Sequence, residues 1–127
     1  MTIGSVTTGQ QTVTATGAVT PTTGLDISGI TGDYTLHVRV QKMTVASGTP
    51  SAKISIEDSV NGFTASVPCA VIDVRGPIDQ IAEQHFSFRK YQLPNLRAGT
   101  ASAVARANVV SLTGTTPSLQ LDSWIEY

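Results

Sequence analysis

The sequence contains few of the side chains on which catalytic and redox chemistry depends. It has one cysteine, Cys69, and two histidines, His37 and His85, among 127 residues. A single cysteine excludes a disulfide within the chain. The apolar stretch VPCAV around it indicates a small buried hydrophobe and not a reactive thiolate. Two histidines and an apolar thiol, far apart in sequence, do not provide the three or four converging ligands that a zinc site requires.

Charged side chains are also scarce. They make up 13% of the chain, and the formal net charge is -1. A nucleic-acid surface needs clustered positive charge, so we expect no nucleic-acid partner. No apolar run approaches the length that a bilayer requires, and the first residues have neither the basic segment nor the apolar core of a secretory signal. We therefore expect no membrane partner and a protein that is made in a cytoplasm.

Motifs that carry enzymatic chemistry are missing as well. The chain has no Gly-rich phosphate loop before a helix and no nucleophile elbow, and both histidines fall on predicted outward faces. These absences predict a chain that is not an enzyme and that has no catalytic residue, no metal and no cofactor. One alternative stays open, in which Glu57, Asp58 and loop carbonyls hold calcium, although the acidic spacing is not that of an EF-hand loop.

Apolar and polar residues alternate with a period of two through most of the chain, which is typical of half-buried strands. In the stretch DYTLHVRVQKM, the residues predicted to point inward are Tyr34, Leu36, Val38 and Val40. Turn residues separate this stretch from further alternating stretches, AKISIE, QHFSFRKYQL and SLQLDSWIEY. The Ala-rich stretch TASAVARANVVSL is interpreted as a strand, and IDQIAEQ as one helical turn at most. The pattern predicts an all-β fold, a single antiparallel β-sandwich of about eight strands, either jelly-roll or immunoglobulin-like.

Two adjacent carboxylates, Glu57 and Asp58, precede an Asn-Gly pair in the stretch KISIEDSVNGF. On a strand, neighbouring side chains point to opposite faces, so the two acids do not aim at one substrate bond. We place Glu57 on the solvent face. We interpret Asp58 as a turn-opening residue that binds nearby backbone N–H groups, with Asn61-Gly62 as a hairpin turn.

The first 25 residues carry no charged side chain and are rich in Thr, Gly, Val and Gln. Their β-branched residues favour extended structure, and an uncharged strand of this kind needs a partner inside the domain or on a neighbour. We divide the chain into an N-terminal arm with a first strand at 1–20 and a β-sandwich domain at 21–127. If the arm is an interface, the residues expected to bury against a partner are Val13, Thr14, Val19 and Leu25.

Three stretches resemble small all-β virion proteins of tailed bacteriophages, among them capsid decoration (cement) proteins and minor structural proteins. They are EDSVNGF (57–63), YQLPNLRAG (91–99) and the ending GTTPSLQLDSWIEY (114–127). The likeness covers roughly residues 25–127. It implies a sandwich domain, oligomers that are often trimers on the capsid lattice, a terminal arm or loops that grip neighbouring subunits, and no catalysis.

Residue chemistry and resemblance together predict a virion structural protein, assembled in the host cytoplasm, that binds the phage major capsid protein and stabilises the capsid. A homo-oligomer, specifically a trimer, is expected. Two alternatives remain: a tail or baseplate component of a phage, and a carbohydrate-binding module. A sugar site needs exposed aromatic side chains among polar groups, and the candidates are Tyr34, Tyr91, Trp124 and Tyr127.

Overall fold

The computed structural model describes residues 5–7, 11–18, 25–78 and 83–127. Within these ranges the chain is all-β and forms two antiparallel sheets, with one 3-10 turn at Lys90–Gln92 and no α-helix. The strands are β1 (Ser5–Thr7), β2 (Gln11–Val13), β3 (Gly17–Ala18), β4 (Leu25–Asp26), β5 (Thr35–Thr44), β6 (Ser47–Ser59), β7 (Val67–Arg75), β8 (Gln84–Arg89), β9 (Val104–Thr115) and β10 (Ser118–Glu126).

The N-terminal chain runs along one edge of each sheet. Strands β1 and β2 both pair with β10, and together they occupy one edge position of the first sheet, followed by β10, β5 and β8. Strands β3 and β4 both pair with β9 and occupy the corresponding position of the second sheet, followed by β9, β6 and β7. Each sheet is therefore four strands wide, as a sandwich of about eight strands predicts.

The pairing follows the pattern of one long hairpin folded over on itself. The innermost pair is β6 with β7, where Ile54 faces Ile72, and the outermost is β1 with β10, where Ser5 faces Glu126. Between these lie the pairs β5–β8 and β3/β4–β9, so partners stay nearly equidistant in sequence from the β6–β7 turn. Wrapping such a hairpin into two facing sheets gives a jelly roll. The strand order thus selects the jelly roll over the immunoglobulin-like alternative.

The core lies between the two sheets, and the predicted alternation locates it correctly. The four predicted inward residues from Tyr34 to Val40 are all 4% exposed or less. Ile54, Ile56, Leu119, Leu121 and Ile125 are buried as well. Phe86 and Phe88 are partly buried and pack against this core, while their neighbours in β8 face outward.

Turns and bulges show where pattern reasoning was only partly right. The turn residues Gly48 and Pro50, which separate the stretches DYTLHVRVQKM and AKISIE, lie in the first part of β6, because β5 and β6 are joined by a tight turn. Pro68 lies on β7, which pairs only with β6 in the described part of the chain and has a bulge beside it, as an edge position predicts. The helical turn predicted for IDQIAEQ, at 78–84, lies mostly outside the described residues.

Candidate functional site

The acidic pair of the β6–β7 hairpin is split between the two faces of its sheet. Glu57 points outward, where its carboxylate accepts a hydrogen bond from Asn108 Nδ2 (3.1 Å) and lies 3.4 Å from Arg106 Nε. Asp58 points inward and is 0% exposed. The two carboxylates do not converge on a common ligand, so this geometry supports neither a paired acid/base site nor the calcium alternative.

Asp58 is bound by the loop after β8, not by its own turn. Its carboxylate accepts three hydrogen bonds from Arg97, one from the backbone N–H (2.9 Å) and two from the guanidinium (2.9 and 3.1 Å). The interpretation of Asp58 as a turn-opening residue was therefore wrong. The ion pair between buried Asp58 and the exposed Arg97 side chain fixes the 93–103 loop to the end of β6, which is a structural role.

Ser59 and Asn61 perform the turn chemistry that was assigned to Asp58. Ser59 Oγ accepts hydrogen bonds from the backbone N–H groups of Asn61 and Phe63, at 3.2 and 3.0 Å. The side-chain oxygen of Asn61 accepts one from the N–H of Ala65 at 3.1 Å. Positive φ occurs at Gly62 and Phe63, one residue later than the Asn-Gly pattern indicates. The hairpin itself is confirmed.

Buried Tyr34 and Cys69, which is only partly buried and not fully buried as its apolar neighbours predicted, are the titratable groups near this ion pair. Burial, reinforced by the Coulombic effect of Cys69, Asp33 and Asp58, raises the pKa of Tyr34 to about 12. Burial also raises the pKa of Cys69 to about 11, so this thiol stays protonated near neutral pH. Tyr34 is 4% exposed, and its hydroxyl has no hydrogen-bond partner in the described structure.

We expect Tyr34→Phe to raise the free energy of unfolding by about 1 kcal/mol at neutral pH, because a buried hydroxyl without a partner is unfavourable. The tyrosine pKa rises from 10.0 on unfolded chains to about 12 in the fold. The unfolded chain therefore loses its proton first, and Tyr34 reduces stability as the pH rises from 10 towards 12. Urea unfolding at pH 7 and pH 11 measures both effects. Tyr91→Phe is the control, since Tyr91 is 79% exposed, and a destabilised Tyr34→Phe would contradict the prediction.

The predicted interface residues of the N-terminal chain have different environments. Val13 is partly buried and packs against the core, and Thr14 is exposed. Leu25 is 5% exposed and belongs to the chain's own core, so it has little surface left for a partner. Val19 lies outside the described residues. The prediction that this segment pairs with other strands is confirmed. Strand β2 pairs with β10 and β3 pairs with β9, and all four belong to the same chain.

A cluster of polar and aromatic side chains covers the outer face of the first sheet, at strands β5, β8 and β10. We call it the histidine cluster and define it by His37, His85, Ser87, Trp124 and Glu126. His37 Nδ1 lies 2.8 Å from His85 Nε2 and 3.3 Å from Ser87 Oγ. The rings of His37 and Trp124 stack at 4.8 Å with an interplanar angle of 12°.

Glu126 and an ion pair complete the electrostatics of the histidine cluster. Glu126 Oε1 accepts a hydrogen bond from Trp124 Nε1 at 3.2 Å, and Oε2 lies 3.6 Å from His37 Nε2. Burial lowers the pKa of His37, while the Glu126 carboxylate opposes that effect. Arg39 and Asp122 form a two-point ion pair beside the Trp124 ring. Pattern reasoning placed both histidines on outward faces but missed that β5 and β8 are neighbours.

The aromatic side chains that were candidates for sugar stacking are spread over the molecule. Tyr34 is in the core, and one face of the Trp124 ring is covered by His37. Tyr91, on the 3-10 turn, is strongly exposed, and Tyr127 is partly buried. These four rings do not form a common platform.

In the described ranges, no group of three or more His, Cys, Asp or Glu side chains is placed to hold a metal ion. Among the same residues, no helix has the length and apolar character needed to cross a membrane. Neither the comparison with protein-family models nor that with curated proteins found a match for the chain.

Proposed function

We propose that the chain is a non-enzymatic structural protein of a tailed-bacteriophage virion that binds the capsid lattice, associates with further copies of itself and stabilises the capsid. The observation that carries the proposal is the uncharged N-terminal chain along one edge of each sheet. Jelly rolls occur in many viral capsid proteins and also in lectins and cupins, so the architecture is compatible with this class without selecting it.

Sheet edges normally carry features that prevent pairing with other chains, such as lysine, proline or an inward charge. The edge strands β1, β2 and β3 carry none of these residues, and the first charged residue of the sequence is Asp26, so their protection is limited to their length of two or three residues each. In the described part of the chain, no other strand pairs with the outer side of β2 or β3. Such an edge favours strand addition, in which main-chain hydrogen bonds supply affinity to a neighbouring subunit.

Deleting the N-terminal chain would not test this proposal cleanly, since residues 5–18 also complete both sheets of the fold. A single lysine at the edge is a milder change. Thr12 is exposed on β2, and Thr12→Lys adds the kind of charge that blocks edge pairing. Thr64→Lys, in the exposed β6–β7 turn, is the control with the same charge change.

We expect light scattering during size-exclusion chromatography to show a trimer or larger assembly for the wild type and for Thr64→Lys. The Thr12→Lys protein should shift towards the mass of one chain. In co-sedimentation with purified heads and purified tails of the phage that encodes the chain, binding to heads should be lost with Thr12→Lys alone. A wild-type monomer that binds neither particle would contradict the proposal. Binding to tails alone would replace it with a tail or baseplate role.

A further inference from the structure

The hydrogen bond between the two imidazoles of the histidine cluster depends on their protonation. His37 Nδ1 on β5 lies 2.8 Å from His85 Nε2 on β8, and the two nitrogens share one proton, which one ring donates and the other accepts. An imidazolium carries a proton on both nitrogens, so the bond persists when either ring is charged but not when both are. Two N–H groups would then face each other. The contact therefore tolerates one added proton and excludes a second.

The surroundings of His37 disfavour a second positive charge. The side chain is 14% exposed, and its ring stacks on Trp124. Its other nitrogen, Nε2, is buried and has no hydrogen-bond partner in the described structure, and the nearby carboxylate of Glu126 is 3.6 Å away. Burial is the main cause that lowers the pKa of His37, the Glu126 carboxylate opposes it, and His85 adds to it.

The other charged groups beside the histidine pair lie on β5, β10 and β8. Arg39 on β5 and Asp122 on β10 compensate each other through their two-point ion pair. Arg89 lies on the same outward face of β8 as His85 and adds positive charge, and Glu83 directly precedes that strand. Among the described residues, Glu126 is the acid within 4.0 Å of an imidazole nitrogen. One carboxylate can compensate one added proton but not two.

We propose that the His37–His85 pair is a pH-sensitive latch, which holds the edge strand β8 on β5 near neutral pH and loosens it when both rings are protonated. In the described part of the chain, β8 pairs with β5 alone, so contacts to β5 decide how firmly it is held. Phe86 and Phe88 on the inner face of β8 are partly buried against the core. Mild acid therefore exposes apolar surface at this edge of the first sheet.

Proton binding by the unfolded chain sets the direction of the pH effect. A free histidine has a pKa of about 6.5, so both rings of the unfolded chain are charged at pH ~5, where ordinary carboxyl groups with a pKa of about 4 remain ionised. The folded pair holds fewer protons, and stability falls with falling pH wherever the unfolded state binds more protons. A difference of one proton changes the folding equilibrium constant by about tenfold per pH unit. Because His85 is exposed and can turn into solvent, we expect about tenfold in total between pH ~7.5 and ~5.

His85→Gln tests the latch, because the amide can still bond to His37 Nδ1 but cannot become charged. In urea unfolding at pH ~7.5 and ~5, the folding equilibrium constant of the wild type should fall about tenfold more than that of His85→Gln. Ser87→Ala is the control, since it removes only the 3.3 Å contact with His37 Nδ1 and should keep the pH dependence of the wild type. Equal pH dependence of the wild type and His85→Gln would overturn the proposal.

Hydrogen–deuterium exchange of the wild type locates the effect without any variant. Strand β7 is the matched reference, because it is an edge strand of the other sheet, pairs with β6 alone in the described part of the chain and contains no histidine. Relative to the amides of β7, those of β8 should exchange about tenfold faster at pH ~5 than at pH ~7.5. If the ratio between the two strands did not change with pH, the latch would not exist, even if overall stability fell.

Discussion

Asp58→Asn is expected to lower the free energy of unfolding by about 3 kcal/mol, a large share of the total for a small domain. The substitution keeps the shape of the side chain but replaces the carboxylate, which accepts three hydrogen bonds from Arg97, with a neutral amide. The new amide also directs N–H groups at a guanidinium that can only donate. Because Asp58 is 0% exposed, water cannot replace the lost interaction at residue 58, although it can hydrate the Arg97 guanidinium, which is 39% exposed.

Glu57→Gln is the matched control, since the same chemical change occurs one residue earlier on the outer face of the strand. Glu57 has a looser ion pair, at 3.4 Å from Arg106 Nε. The two side chains are mostly buried, at 14% exposure for Glu57 and 20% for Arg106, and we expect Glu57→Gln to cost about 1–1.5 kcal/mol, less than Asp58→Asn. Chemical denaturation of the wild type and the two variants measures the difference. Equal losses for Glu57→Gln and Asp58→Asn would show that the inward direction of Asp58 is wrong.

Val109→Ala is expected to cost about 2–3 kcal/mol, and Val110→Ala less than about 0.5 kcal/mol. Val109 is 1% exposed and faces the core between Ile54 and Gly17. Val110 is 51% exposed, because it follows the inward-facing Val109 on the strand and so points to the opposite face of the sheet. Truncating Val109 leaves a cavity, whereas truncating Val110 exposes only methyl groups that water already contacts.

Thermal and urea unfolding of the two valine variants provide the test. Both variants remove the same atoms from neighbouring positions of one strand, so differences in β-propensity cancel. If Val110→Ala were the more damaging of the two, the inner face of β9 would be assigned wrongly.

Period-two alternation was sufficient to predict the sandwich and most of its inner face. It works for Tyr34 to Val40 because an uninterrupted strand alternates strictly between faces. It fails beyond Val110, where the register of β9 against β6 shifts and Leu112, not Ser111, packs against the core, because nothing in the sequence marks the position of this bulge. The alternation also left jelly roll and immunoglobulin-like topologies open, because strand order depends on long-range pairing.

The contacts that define the candidate sites were outside the reach of sequence patterns. Asp58 and Arg97 are 39 residues apart, and His37 and His85 are 48 apart. The outward faces of the two histidines were predicted correctly. A contact between two side chains also depends on which strands are neighbours and on the register between them, and neither can be read from the alternation. Leu25 illustrates the converse. Its position in an uncharged segment suggested a partner surface, whereas pairing of β4 with β9 buries it within the chain.

The folded-hairpin topology also constrains how the protein can form during translation. In the described part of the chain, every strand from β1 to β6 pairs only with strands from β7 to β10. A nascent chain that has left the ribosome as far as β6 thus has no strand of its own to complete a sheet. At about 5–20 residues per second, β1 waits roughly 6–24 seconds for β10. During that interval the uncharged edge of β1 is available to chaperones and to other nascent copies. We therefore expect assembly or aggregation to begin where nascent copies are crowded on one polysome.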